Sequence, residues 1–532
     1  MESNSLSDEI SKRFGIAQKR KTNWCVTYKE ALSYAAPQRE NFDNSESGVR
    51  KDNTDRVFDS TAQSALIKFA SNLQSSLVPP MKKWVNLVAG QQIEDEQKEE
   101  ANKQLSNIRE SVFSAIHNSN FDTQVSESFL DLGIGSGALL VLKGDAKVPL
   151  RFISVPLDQL FLEEGAKGIV DTAFRKHSIV GRNIKATWAD ATISADLQRI
   201  IEDKPEGHIS FVEATLKAKI KKKIVVGDKV ELVEVEGYKY VVLAEKNKEV
   251  IVEREQESSP WIIFRWNVLP GEVYGRGPVL SALADIKTLN KTKELILKNA
   301  SLAVSGAFTA VDDGIINIEN IQIAPGAIIP VMSNPGAING PTLAPLPTGS
   351  NFNVAQLVIA DLKRSINDMM FIDPLGPLDL PVKTATEISL RQQELSKRIG
   401  SAFGRLQYEL ISPLIDRILF VLEEMGIVEL EGFKVDGRII AIEHISPLAM
   451  AQDQEELTSM LRYAETLAGI FGPQSVLGLI KPDKFARKTA ELLNIPQDIV
   501  PTEEEFKVMK DQLAQMAAQE QQATGYSYEE AK

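Results

Sequence analysis

The sequence has little cysteine and histidine: one cysteine, Cys25, and four histidines among 532 residues. A single cysteine excludes an intrachain disulfide and fits a reducing compartment. The histidines (His117, His177, His208 and His444) lack the close spacing of a transition-metal site, so we expect neither a metal nor a cofactor. The sequence contains neither a GxxxxGK[ST] phosphate loop nor a GxSxG nucleophile motif. We therefore expect that the protein is not an enzyme.

The sequence also lacks an excess of positive charge and any long apolar run. Lys and Arg number 60 against 73 Asp and Glu, which gives a formal net charge of −13. A protein that grips nucleic acid needs clustered Lys and Arg, so this balance argues against that class while permitting DNA to pass without being held. No run of about 18 apolar residues occurs. The start MESNSLSDEI is acidic and polar, unlike a signal peptide, so we expect no membrane association.

The most informative stretch is Thr384–Met425, which has the pattern of one very long helix. Thr384 and Glu387 have the spacing of a capping box. Apolar residues then recur at intervals of three and four, at Leu395, Ile399, Phe403, Leu406, Leu410, Leu414, Ile418 and Leu422. Roughly 40 residues make a rod about 60 Å long. Pro413 removes a hydrogen bond inside it, so we expect a kink near Glu409–Pro413.

The rest of the chain predicts an α+β fold. The pattern is mainly helical up to residue 132, and from 138 to 266 it alternates with period two, which indicates a β-meander. We expect turns of this meander at Gly227–Asp228, Glu236–Gly237 and Lys246–Asn247. Two further helical stretches, Pro278–Val304 and Asn353–Phe371, flank a small β-rich insert. The tail after residue 437 is again mainly helical.

Two short motifs have mainly structural interpretations. The GIGSG run at Gly133–Gly137 precedes a strand and does not open a helix, so it is a weak match to a nucleotide-binding loop. The one basic run comprises Lys217, Lys219, Lys221, Lys222 and Lys223. Alternate lysines share one face of a strand, and a solvated guard of an edge strand is favoured over a phosphate-facing role.

Three segments, in this order, resemble the portal (head-to-tail connector) proteins of short-tailed bacteriophages. They are Leu66–Leu87, Gly271–Glu294 and Lys383–Leu419, and the resemblance extends roughly from residue 10 to residue 500. It implies a virion protein assembled in the bacterial cytoplasm, with about twelve copies in a ring around a channel at one capsid vertex. Such a ring conducts double-stranded DNA during packaging and ejection. Neighbouring copies would then bury the apolar side of the long rod, which one subunit cannot cover.

The resemblance also implies a division of the chain into portal domains. These are an N-terminal helical wing region (1–137), a β-rich wing (138–270), a first stem helix (271–305), a clip (306–350), a second stem helix (351–371), a tunnel loop (372–383), a long kinked wing helix (384–436) and a C-terminal crown (437–532). The implied partners are a terminase motor, the major capsid and scaffolding proteins, and tail adaptor proteins, with no membrane.

The residues that we predict to face the DNA channel are Lys363, Arg364, Asn367 and Lys383. Lys363 and Arg364 lie off the apolar stripe of Leu357–Leu362, although an ordinary exposed helix face explains them equally well. Two other functions stay open. One is a multidomain cytosolic enzyme with a site built from scattered carboxylates, and the other is a different oligomeric capsid or scaffold protein.

Overall fold

The computed structural model describes fourteen segments of the chain. They are residues 2–39, 54–89, 95–166, 168–226, 229–305, 308–311, 328–331, 343–345, 352–372, 400, 402–429, 440–444, 447–471 and 482–492. The chain divides into two compact units. Unit 1 comprises Met1–Ser75, Val88–Leu380 and Ser401–Ile442, and unit 2 comprises Ser76–Leu87, Pro381–Gly400 and Glu443–Lys532.

Helices make up most of the described residues. They include α1 (Glu2–Ala35), α2 (Thr61–Leu77), α3 (Asp95–His117), α4 (Phe121–Ile134), α5 (Ile184–Thr187), α6 (Ala195–Asp203), α7 (Pro278–Ser305), α8 (Phe352–Met369), α9 (Ser412–Glu424), α10 (Pro447–Phe471) and α11 (Pro482–Leu492). None of the helices in the described segments is both long enough and apolar enough to span a bilayer.

The strands form several small sheets. They are β1 (Val85–Ala89), β2 (Ser136–Lys143), β3 (Leu150–Ser154), β4 (Leu160–Glu164), β5 (Val170–Val180), β6 (His208–Val226), β7 (Lys229–Ala244), β8 (Glu249–Gln256), β9 (Trp261–Arg265), β10 (Phe308–Val311), β11 (Ile328–Val331), β12 (Leu343–Pro345) and β13 (Ile440–His444). The largest sheet has the order β4-β5-β6-β7-β8, a second has β3-β2-β9, and a third has β11-β10-β12.

The five-stranded sheet is covered on both faces. On one face, Ile10 and Phe14 of α1 pack against apolar residues of β4 to β7. On the other face, Trp188, which follows α5, and Leu197 of α6 pack against Phe211, Tyr240 and other residues of β6 to β8. Ser194 begins α6 as its cap, since its hydroxyl accepts a hydrogen bond from the Leu197 N–H. The β-rich part of unit 1 is therefore a sheet between two helical layers.

One predicted turn of the β-meander is wrong. Gly237 lies inside β7, opposite Ala218 of β6, and Glu236–Gly237 is not a turn. A Cβ at Gly237 would lie 2.5 Å from the Ile220 side chain, so the glycine is needed for close packing across the strands. Of the other two expected turns, Lys246–Asn247 does join β7 to β8, and Gly227–Asp228 lies outside the described residues.

The long helix is disturbed where Pro413 was expected to act. Residues 402–406 are α-helical, Gln407–Ile411 form a π-helical turn, and α9 follows with the proline near its start. A proline has no N–H to donate, and a π turn is one way for the preceding residues to rearrange. The predicted disturbance near Glu409–Pro413 is therefore found as a π turn. Its proposed start at Thr384 lies outside the described residues.

Candidate functional site

The part of the fold closest to the predicted site is the packed pair of helices α7 and α8. Ile286 and Leu289 of α7 are buried, as are Ile366 of α8 and Met370 just after it. Ser365 Oγ lies 2.6 Å from Asp285 Oδ2 and donates a hydrogen bond to it, which fixes the two helices side by side. We call α7 and α8 the helix pair.

Lys363 is held by a contact within the chain. Its Nζ lies 3.4 Å from Asp59 Oδ2, and the Asp59 side chain is only 6 % exposed. The Asp59 carboxylate also accepts a hydrogen bond from the Thr61 N–H at the start of α2. Burial would raise the pKa of Asp59, but the bonds from Thr61 and Lys363 outweigh it and keep that pKa below its usual value. Lys363 therefore joins α8 to the start of α2.

Asn290 of α7 also binds the segment that precedes α2. Its Oδ1 accepts hydrogen bonds from the N–H groups of Phe58 (2.7 Å) and Asp59 (3.2 Å). Its Nδ2 donates to the Arg56 carbonyl at 3.0 Å. One side chain, 8 % exposed, thus satisfies three backbone groups before α2.

Replacing Asn290 with alanine should lower the free energy of unfolding of unit 1 by about 2–3 kcal/mol. The change leaves partly buried N–H and C=O groups without partners, at about 1 kcal/mol or more each. Denaturant unfolding followed by tryptophan fluorescence measures the loss. Lys291→Ala, at the exposed next position of α7, is the control and should lose less than about 1 kcal/mol. Equal losses in the two variants would contradict this role.

The other predicted site residues lie in different surroundings. Arg364 is exposed on α8, Asn367 is half-buried, and Lys383 lies outside the described residues. Leu357 is 73 % exposed and precedes Arg364 by seven residues, so both lie on one face of the helix. Arg364 was expected to lie off the apolar stripe of Leu357–Leu362, but it shares a face with Leu357. The buried side of α8 carries Ile366 instead.

The exposed surface of the helix pair is partly apolar. Four large side chains are 44–73 % exposed in the single chain: Leu295, Leu297, Leu357 and Val358. Asp361 and Asp368 are also exposed, one turn on either side of Arg364. This mixture of leucine, valine and alternating charge is typical of a surface that contacts another protein, rather than one that binds phosphate at many points.

Glycines connect the helix pair to the rest of unit 1. Gly277, which precedes α7, donates its N–H to the Ile134 carbonyl at 2.9 Å. A Cβ at Gly277 would lie 2.2 Å from the Gly133 carbonyl oxygen, and one at Gly135 would lie 2.6 Å from the Gly275 carbonyl oxygen. The two glycine-containing segments therefore need their glycines for backbone contact. This explains the GIGSG run without a nucleotide.

No group of side chains among the described residues has the arrangement of a metal site. A family model for the bacteriophage head to tail connecting protein matches residues 7–500. The chain belongs to this family. The protein is thus a structural head-to-tail connector, and its place is in the virion.

Individual relatives of the connector are distant but cover nearly its whole length. A probable portal protein of Bordetella phage BPP-1 is 21% identical over 527 residues, which covers 96% of this chain and 92% of the relative. The portal protein of Salmonella phage epsilon15 is 21% identical over 538 residues, covering 97% of this chain and 93% of the relative.

Solved structures give weaker similarity. The connector matches a chain in the virion of a native gene transfer agent with a TM-score of 0.33 and 12% identity, covering 79% of this chain and 89% of the other. It matches a chain in the neck of an empty gene transfer agent particle with a TM-score of 0.33 and 13% identity, covering 83% and 92%.

Sequence reasoning missed the partners that hold the helix pair of the connector in place. Asp59 was recognisable as a possible cap of α2, because it precedes an amphipathic helix. Its ion pair with Lys363 joins residues about 300 positions apart, and no spacing rule reaches that far. Asn290 gave no signal, since a polar residue on one side of α7 is expected to be exposed.

Proposed function

We propose that this connector is a portal, a ring of about twelve copies at one capsid vertex that surrounds a channel for double-stranded DNA. Of the relatives described above, one is a probable portal protein and the other is a portal protein. The observation that carries the ring is the helix pair, which leaves Leu295, Leu297, Leu357 and Val358 exposed in a single chain. Apolar side chains in such numbers on one pair of helices are stabilised when a neighbouring copy covers them.

In this proposal, α7 and α8 are the stem helices, the five-stranded sheet and the β3-β2-β9 sheet form the wing, and the β11-β10-β12 sheet belongs to the clip. Asn367 and Lys383 are candidates for the channel face, and Arg364 is a weaker one because it shares a helix face with Leu357, which the ring contact would cover. Lys363 is a weaker candidate than at first, because Asp59 already neutralises it. Terminase, the capsid and scaffolding proteins, and the tail adaptors are the proposed partners. The ring itself would have no catalytic role, and the motor would supply the work of packaging.

In this proposal the channel lets DNA slide because the channel wall binds the duplex only weakly. Each phosphate that a cation binds releases counterions and stabilises one position of the duplex. Exposed carboxylates such as Asp361 and Asp368 beside Arg364 limit that stabilisation. The free energy of the DNA would then vary little as it slides, because no single contact binds it strongly.

Replacing Leu357 with aspartate should prevent ring formation while leaving the single chain folded. The side chain is 73 % exposed, so the change costs the monomer little. In the ring it would bury a charge at every interface, at a cost of several kcal/mol per contact. Mass photometry and negative-stain microscopy should show rings for the unmodified protein and single chains for the variant.

Ile67→Asp supplies a matched control, since Ile67 is 62 % exposed on α2 and does not belong to the helix pair. Rings should persist in that variant. Rings of normal size and yield from Leu357→Asp would refute the role given to the helix pair, and a monomeric unmodified protein would refute the ring.

A further inference from the structure

Strands β6 and β7 extend well beyond the five-stranded sheet. The pairing of β5 with β6 stops at Thr215, and the pairing of β7 with β8 starts at Tyr238. Between these limits, residues 218–226 pair with residues 229–237 in an unbroken antiparallel register. Nine pairs give a two-stranded projection about 30 Å long. We call residues 217–226 and 229–237 the arm.

An isolated two-stranded arm is marginal in water, and its two outer edges are open to further contacts. Among the described residues, no other strand pairs with either edge of the arm. Packing along its length is limited too, because Val233 is 39 % exposed. Such an arm is better explained by a contact that a single chain does not contain.

The two edges of the arm carry opposite charge. Lys217, Lys219 and Lys221 are exposed on β6, and Glu234 and Glu236 are exposed on β7. The register places Lys219 opposite Glu236 and Lys221 opposite Glu234, so these side chains share one face. Lys217 Nζ lies 2.8 Å from Glu236 Oε2, which shows that lysines and glutamates of this face reach each other across neighbouring strands.

Lys219 and Lys221 form no ion pair with any described residue, although glutamates lie across the strand from them. We propose that the lysine edge of the arm binds the glutamate edge of the arm of a neighbouring copy of this chain. The inference rests on the proposed ring. In a ring, each copy contacts the next through two different surfaces, one on each side. An arm that is positive along one edge and negative along the other meets that requirement with a single element.

The charge pattern favours a second copy over nucleic acid. Duplex DNA would be attracted by the lysine edge but repelled by Glu234 and Glu236 on the same face. A neighbouring arm satisfies both edges at once, and it repeats between chains the Lys–Glu contact already present within one chain. Contacts of this kind mainly fix the orientation and the partner, because exposed ion pairs are individually weak.

Two double variants test the contact. Lys219→Glu with Lys221→Glu makes both edges acidic, and Glu234→Lys with Glu236→Lys makes both edges basic. Each variant alone repels its own neighbours, so at low salt we expect rings to need about tenfold more protein to assemble than the unmodified chain. An equimolar mixture of the two variants should recover assembly, because acidic and basic arms can alternate around the ring. At about 1 M salt the differences should disappear.

Mixing separates a contact between copies from damage within one arm. In the mixture every arm keeps its own repulsive cross-strand pairs, so only contacts between chains can account for recovery. Lys185→Glu with Lys204→Glu is the control for net charge, because both lysines are exposed outside the arm. This control should assemble like the unmodified chain.

Three results would overturn the inference. The first is a mixture that assembles no better than either variant alone. The second is normal assembly of each variant on its own. The third is a Lys219→Glu, Lys221→Glu variant that forms normal rings but binds duplex DNA less well, which would assign the lysine edge to nucleic acid. If the unmodified chain forms rings in these experiments, the proposed function survives. If the unmodified chain stays monomeric, the proposed function fails with the inference.

Discussion

Lowering the pH from 6.5 to 4.5 should cost the folded chain about 2.3 kcal/mol through His177 alone. The His177 side chain on β5 is 9 % exposed, and its Nε2 lies 3.2 Å from Glu213 Oε1. Its Nδ1 is buried and has no hydrogen-bond partner among the described residues. Burial, reinforced by the positive charge of Arg175, lowers the pKa of His177 from 6.5 to about 3.

The direction of the effect follows from which state binds the proton. Below pH 6.5 the imidazole of an unfolded chain takes up a proton, whereas the folded chain resists it until about pH 3. The unfolded state is therefore favoured increasingly as the pH falls through this window, by about 1.4 kcal/mol per unit. Glu213 acts in the opposite direction, because its burial raises its pKa even though Arg175 and Tyr240 stabilise its charge.

Denaturant titrations at pH 7, 6, 5 and 4.5 would measure this loss, with tryptophan fluorescence as the signal. Trp188 packs against His177, with ring centroids 6.1 Å apart, so it reports on this sheet. His177→Gln still offers an N–H to Glu213 but does not titrate, and its unfolding free energy should fall less steeply with acid. His208→Gln, at an exposed position, should keep the slope of the unmodified chain. Equal slopes for all three proteins would contradict the prediction.

Local patterns were sufficient for the fold class and for most elements. The intervals between apolar residues predicted α7 as Pro278–Val304, and the helix is Pro278–Ser305. The short helix α6 likewise begins at a local signal, the serine cap Ser194. These features depend on residues only a few positions apart, so the interactions that favour them are present in the short segment itself and do not require the rest of the fold. The family was also recognisable, because three segments occurred in the expected order.

Features decided by distant partners were not predictable. Gly237 was assigned to a turn because glycine is common in turns, but the Ile220 side chain on the neighbouring strand leaves room only for a glycine there. Leu357 belongs to an apolar repeat, yet nothing in this chain covers it among the described residues. Lys363 was predicted to face a channel, and its ion pair with Asp59, about 300 positions away, was not foreseen. In each case periodicity indicates which side of an element a residue is on, but not what packs there.

The second large effect concerns the ion pair that holds the π turn to the β3-β2-β9 sheet. Glu409 lies within the π turn, and its Oε1 lies 2.7 Å from Arg265 Nη2. Its Oε2 accepts from the Arg265 N–H at 3.0 Å and from Nε at 3.2 Å. The two side chains are only 6 % and 12 % exposed. Arg265 also donates to the Val273 carbonyl, so one residue ties β9 to the segment before α7.

Replacing Glu409 with alanine should lower the free energy of unfolding of unit 1 by about 3–5 kcal/mol. The guanidinium of Arg265 would stay buried without a carboxylate, which is the costly way to break such a pair. Glu424→Ala is the matched control. Glu424 pairs with Lys143 of the same sheet, but both are about half exposed, so its loss should cost less than about 1 kcal/mol. Denaturant unfolding would compare the two.

Removing both charges distinguishes the ion pair from simple packing. Arg265→Met with Glu409→Leu leaves no buried charge and should recover much of the loss seen in Glu409→Ala, because apolar replacements of a buried pair are often nearly neutral. Hydrogen exchange at Gln407–Ile411 should rise in Glu409→Ala and stay low in the double variant if the pair holds the π turn in place. Comparable losses in Glu409→Ala and Glu424→Ala would show that the Arg265–Glu409 contact contributes no more than a surface pair.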